Sequence, residues 1–142
     1  MRLAALGFAV ALLPLSCEPR LSKIEYTTRA DGICAKYNRK IRALGQPRRV
    51  KDLPQYVNRA LPVAKKGNEE LRALQPPRAE AGTAAEWLDQ NQAVIAALER
   101  VREAAKRGDR AAIEAALSEA GAANRRANRL ARQLDLRICA RG

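Results

Sequence analysis

From Trp87 to Ala105 one face repeats at Trp87, Asn91, Val94, Leu98, Val101 and Ala105, in steps of 4, 3, 4, 3 and 4. That rhythm is the 3.6-residue period of an α-helix. A strand alternates every second residue and cannot gather these positions on one face. Three weaker stripes share the period. The first is Ile33, Tyr37, Ile41 and Leu44; the second is Leu53, Val57, Ala60/Leu61, Ala64, Leu71 and Leu74. The last is Ile113, Leu117, Ala120, Asn124, Ala127, Ala131 and Leu134, with Leu130 alongside. Aromatics make up only 4% of the chain. Alanine, leucine, arginine, glutamate and glutamine dominate, a composition that favours helix over strand.

Local signals divide these stripes into four helices. The first is expected from about Tyr26 to Leu44, ended by Gly45, Gln46 and Pro47. Asp52 is an expected N-cap for the second, with Pro54 in its first turn, where proline is tolerated. Pro62 lies inside and predicts a kink or break near 58–62, because it removes a backbone bond and crowds the preceding turn. Residues 75–82, QPPRAEAG, read as a loop. Thr83 to Glu86, TAAE, reads as a capping box opening the third helix. Gly108-Asp109 reads as a helix stop followed at once by an N-cap, and the fourth helix then runs to about Leu136. Short connections predict an all-α, up-down-up-down four-helix bundle over 26–142.

The N-terminus reads as a targeting segment. Leu3 to Leu15 is apolar and uncharged, too short to span a bilayer and of the right length for a secretory signal. Pro14-Leu15-Ser16-Cys17 resembles the end of a bacterial lipoprotein signal, with Ser16 and Cys17 in place and the leucines two and four residues before the cysteine rather than three. That resemblance implies lipidation of Cys17, with 1–16 as signal peptide and 17–25 as a tether. Ordinary cleavage near 16–19 is the alternative. Cysteine arithmetic agrees with an anchor. An exported domain tends to oxidise its thiols, and three cysteines leave one over. With Cys17 lipidated, Cys34 and Cys139 remain as a pair. An up-down-up-down topology brings the start of the first helix and the end of the fourth to one pole, so a Cys34–Cys139 disulfide is expected.

Several stretches together, ADGICAKYN (30–38), LPQYVNRALP (53–62), LRALQPP (71–77), RGD (107–109) and ANRLARQLDLRIC (127–139), resemble a loose group of small exported bacterial proteins. These are Ala/Arg-rich helical chains, often named as lipoproteins, with one cysteine early in the first helix and one near the C-terminus. The resemblance implies export and a paired-cysteine helical fold. It supplies no catalytic residues.

The chain has no histidine, which removes the commonest general base and the commonest metal ligand. Three cysteines without a Cys-x-x-Cys pair do not read as a zinc site. No Gly-rich phosphate loop and no Ser/His or Cys/His pair occurs. The expectation is a non-enzymatic protein without cofactor or metal. Asn38, Asn91, Asn124 and Asn128 fall on or beside the apolar stripes. Buried amides need partners, so these read as an internal polar layer that fixes helix register, with a small polar pocket as the alternative. The formal net charge is +12. Arg48, Arg49 and Lys51 from the first connection and Lys106, Arg107 and Arg110 from the third are expected at one pole, opposite the anchor. Such a basic cap either is solvated or meets an anionic envelope polymer or acidic protein. Nucleic acid is not the expected partner, because the leader directs the chain out of the cytoplasm. The partners expected are therefore membrane lipid through Cys17 and an anionic envelope component at the basic cap.

Overall fold

The computed structural model describes residues 19–142, and the signal segment and Cys17 lie outside them. Four helices follow in order: α1 (Lys23–Ala43), α2 (Leu53–Arg72), α3 (Ala81–Lys106) and α4 (Arg110–Gln133). A 3-10 turn, Cys139–Arg141, comes last. The protein is an all-α four-helix bundle.

Two buried clusters show the antiparallel order. At one pole the start of α1 (Tyr26, Ala30), the end of α2 (Leu71), the start of α3 (Ala84, Trp87, Leu88) and the end of α4 (Ala127, Ala131) pack together with Leu134, Leu136 and Cys139. At the other, Val57 and Leu61 of α2 meet Ile95, Val101 and Ala104 of α3 and Ile113 and Ala116 of α4. No α1 residue joins the buried part of that second cluster. α3 is the central helix, packed along both α2 and α4, whereas α1 leans on α2 and barely approaches α4. The last 3-10 turn contacts both α1 and α4 and fills the space between them at its pole.

Each helix boundary has a local cause. Ser22 accepts from the amide of Glu25, and the Glu25 carboxylate accepts from the Ser22 amide at 3.0 Å, a capping box that starts α1 three residues before the expected point. The Leu21 amide donates to the Gln75 carbonyl (3.0 Å), and Arg20 donates to the Pro76 carbonyl (3.0 Å). Of the stretch expected to be tether, residues 20–25 are therefore held against the α2–α3 loop or helical. α2 runs through Pro62 unbroken, with that proline on the exposed face. The expected capping box at Thr83 does not form. The 3-10 turn Arg78–Glu80 after Pro77 feeds directly into α3, so Thr83 is already inside the helix. Asp52 sits at the expected N-cap position, but its side chain makes no capping bond and pairs with Arg49 instead.

The α3–α4 turn forms as expected. Gly108 takes a positive φ of 68°, the Asp109 amide bonds back to the Ala104 carbonyl (3.0 Å), and Asp109 Oδ1 accepts from the Ala112 amide (3.0 Å). The end of α4 repeats the device without glycine. Asp135 takes φ 61°, and the Leu136 amide donates to the Ala131 carbonyl (2.9 Å). This turns the chain and drives Leu136, 1% exposed, back into the core. Leu117, placed on the core stripe by spacing, is 43% exposed, because α1 does not cover that side of α4.

Candidate functional site

The site with the most built-in chemistry is the interior between the four helices. Cys34 on α1 and Cys139 after α4 form a disulfide, with Cα atoms 5.3 Å apart across a sequence separation of 105. The bond is seated by a residue that the sequence stripes did not single out. The Asp31 carboxylate, one turn before Cys34, accepts three backbone amides of the final segment: Arg137 at 2.9 Å, Ile138 at 2.8 Å and Cys139 at 3.0 Å. Negative charge on consecutive N–H groups opening a 3-10 turn is the arrangement seen at a helix N-terminus. It places Cys139 beside Cys34 by ionic hydrogen bonds as well as by the covalent bond.

Beside this closure lies a cavity of about 210 Å³ between the helices, open to solvent. The disulfide forms part of its wall, with Ile33 and Ile41 of α1, Leu71 of α2, and Trp87, Val94 and Ile95 of α3. All four predicted asparagines, Asn38, Asn91, Asn124 and Asn128, line the same cavity. They do not form the layer expected. Asn124 and Asn128 each donate from Nδ2 to the main-chain oxygen of Gly142, at 3.0 and 3.2 Å, and none of the four bonds to another. Asn38 stands on α1, which barely approaches α4, and the Asn124 and Asn128 amides are taken by the final turn instead. The space they line is mostly apolar, so it is not the small polar pocket of the alternative expectation either.

Asn68 of α2 is the residue that the stripes missed. It is 6% exposed, lines the cavity and donates from Nδ2 to Gln92 Oε1 at 3.2 Å, while its Oδ1 is sealed from solvent and has no partner among the described residues. Its neighbour Gly67 sets the wall. A Cβ there would lie 2.9 Å from Cγ of Tyr37, so glycine is what lets α1 and α2 approach at this level. The Tyr37 hydroxyl donates to Glu70 Oε1 at 2.6 Å, and Lys36 Nζ donates to the same carboxylate at 2.9 Å. Those donors hold the Glu70 carboxyl below its usual range, and the Glu70 carboxylate pushes the Tyr37 hydroxyl up. Lys36 and Lys40 also sit about 5 Å over the Tyr37 ring. The ring is thus fixed from its edge and its face.

The predicted basic residues lie at the opposite pole. Arg48, Arg49, Lys51, Lys106, Arg107 and Arg110 are all exposed. Arg49 pairs with Asp52 (3.3 Å), and Lys106 pairs with Glu103 (3.2 Å). The other four have no ion-pair partner among the described residues. Among those residues no group of His, Cys, Asp or Glu is arranged to hold a metal ion, and no helix is long and apolar enough to cross a membrane. Fold and site together define a class: a disulfide-closed four-helix bundle around an amide-lined cavity. Compared with protein-family models, curated proteins and solved structures, the chain matches none.

Proposed function

We propose that this is an exported, lipid-anchored protein of the cell envelope that acts as a non-enzymatic interaction or structural module. The observation that carries the reading is the Cys34–Cys139 bond, which ties the first helix to the last turn. Bonds of this kind persist in oxidising compartments and are rare where thiols are kept reduced. The pairing uses both cysteines of the bundle and leaves Cys17, after the apolar leader, as the one available for a lipid. The bundle's N-terminal pole then faces the membrane, and the basic pole faces away from it. Fractionation of cells carrying the full chain tests this. The native chain partitions into the detergent phase and Cys17→Ala into the aqueous phase. Equal partitioning of the two refutes the anchor.

A second reading, a binder of an anionic envelope polymer, is favoured by Arg48, Lys51, Arg107 and Arg110, exposed and without acidic partners. The cavity holds no cationic side chain. An anionic partner therefore belongs at the pole, where its binding weakens steeply with salt.

A further inference from the structure

We propose that the pole formed by the start of α1 and the end of α4 docks on the headgroups of anionic phospholipids, with three arginines as the phosphate contacts and Ile24 as an apolar tip. The nearness of a membrane rests on the anchored reading above. The recognition rests on the surface itself.

Distance comes first. The chain is fixed to the bundle from residue 20 onward, where Arg20 donates to the Pro76 carbonyl and the Leu21 amide donates to the Gln75 carbonyl. Three residue steps separate Arg20 from Cys17. An extended chain covers at most about 3.3–3.6 Å per residue, so a lipid on Cys17 holds this pole within about 10 Å of the headgroups. That is close to the Debye length of about 8 Å at physiological ionic strength, and charges at this pole reach the membrane before salt screens them out. The gap is also no wider than a single helix with its side chains, about 10–12 Å, which leaves no room for a folded partner beneath the pole.

Charge comes next. An open cleft of about 760 Å³ lies here between the first turns of α1 and the segment after α4. Arg132, Arg137 and Arg141 line it, all exposed and without an ion-pair partner among the described residues. Two carboxylates also line it. Asp135 is neutralised by Lys23 at 2.6 Å, and Asp31 is spent on the three backbone amides of the final segment. The cleft keeps an excess of positive charge, carried by guanidinium groups whose forked donors suit phosphate oxygens. Charge alone does not separate a membrane from a soluble anion; Ile24 does. It is 79% exposed, more than any other large hydrophobic side chain among the described residues. It precedes Thr28 by four residues and Asp31 by seven, so it stands on the face of α1 that borders the cleft. An apolar tip beside a basic cleft matches the boundary between headgroups and acyl chains, where the aliphatic group leaves water and the arginines stay with the phosphates. A free phosphate would use the arginines and leave Ile24 in water.

The test titrates the full chain, held in a neutral detergent, with dihexanoyl-phosphatidylglycerol, dihexanoyl-phosphatidylcholine and inorganic phosphate. It reads the Nε–Hε resonances of Arg132, Arg137 and Arg141, with Arg48 and Arg107 of the far pole as reference. The expected result is saturable movement of the first three with phosphatidylglycerol, none with phosphatidylcholine, and weaker binding of inorganic phosphate. Arg132→Gln combined with Arg137→Gln should weaken phosphatidylglycerol by about tenfold, read at Arg141, with the helical signal unchanged because both side chains are exposed. Ile24→Trp is then placed on vesicles of equal parts phosphatidylglycerol and phosphatidylcholine with brominated acyl chains. The new indole should be quenched, and Trp87, 2% exposed in the core, should not. No response to phosphatidylglycerol overturns the proposal and leaves the arginines to an acidic protein. Equal movement of the far-pole arginines overturns it as unspecific charge attraction. Inorganic phosphate binding as tightly as phosphatidylglycerol, or an unquenched indole on vesicles that hold the chain, overturns it in favour of a soluble anion. None of these readouts involves Cys17, whereas the partitioning of the native and Cys17→Ala chains reads the anchor alone, so the two readings fail separately.

Discussion

Replacing Asp31 by alanine should destabilise the fold far more than its half-exposed position on α1 suggests. The carboxylate accepts from three amides at 2.8–3.0 Å, and among the described residues no other side chain accepts from those amides. A hydrogen bond to a charged group contributes about 1.5–3 kcal/mol, so the three summed would reach roughly 4.5–9. Two facts reduce that sum. The site is reached by water, which can serve the freed amides, and the disulfide still holds the segment close. The expected loss is therefore about 2–4 kcal/mol, or around 10 °C in melting temperature for a domain of this size. Asp31→Asn keeps an oxygen that can still accept from Ile138 and Cys139 and should lose about half as much. Urea unfolding of the oxidised protein measures the loss. Amide exchange locates it, because the amides of Arg137, Ile138 and Cys139 should change from protected to fast. An alanine variant with an unmoved midpoint and those three amides still protected would refute the idea that Asp31 seats the final turn.

Other outcomes follow from the same geometry. Replacing both Cys34 and Cys139 by serine should cost at most about 4.8 kcal/mol by chain entropy for a loop of this length, enough to leave the protein marginal in urea titrations. Gly67→Ala should lower stability by about 1–3 kcal/mol in thermal melts although alanine is the better helix former, because its Cβ would strike the fixed Tyr37 ring. Tyr26 is 1% exposed, its hydroxyl has no partner among the described residues, and burial pushes its pKa up to about 12. The unfolded chain therefore gives up this proton first as pH rises past about 10, and stability falls between there and about 12. Tyr26→Phe should be at least as stable as the parent at neutral pH and should lose less between pH 10 and 12, read by denaturant midpoints at each pH.

The fold was legible where a local signal had no competitor. Gly108-Asp109 set the third turn, and the 4-3-4-3-4 stripe of α3 marked its helix, although as the central helix α3 buries a wider arc, Ala84, Leu88 and Ala97 included. The cysteine pair followed from counting and from short connections. Legibility failed where tertiary contacts overrode a local pattern. Thr83 has capping-box spacing, but the backbone leaving Pro77 enters the helix earlier. Ser22 and Glu25 carry the same spacing and do form the box. Leu117 and the four asparagines sit where a closed bundle would bury and pair them. α1 barely approaches α4, so the leucine meets solvent, and the final turn takes the amides of Asn124 and Asn128. Asp31 and Asn68 had no signal in one dimension. Their roles depend on a chain segment more than a hundred residues away and on a gap that only packing creates.

The central claim, an exported and anchored module closed by one bond, is tested most directly by intact mass spectrometry of the protein from its native membranes, before and after reduction. The account predicts a chain beginning at Cys17 with a diacyl or triacyl group attached, gaining the two hydrogens of a single reduced bridge. An unmodified chain that keeps residues 1–16 and shows no mass change on reduction would contradict it.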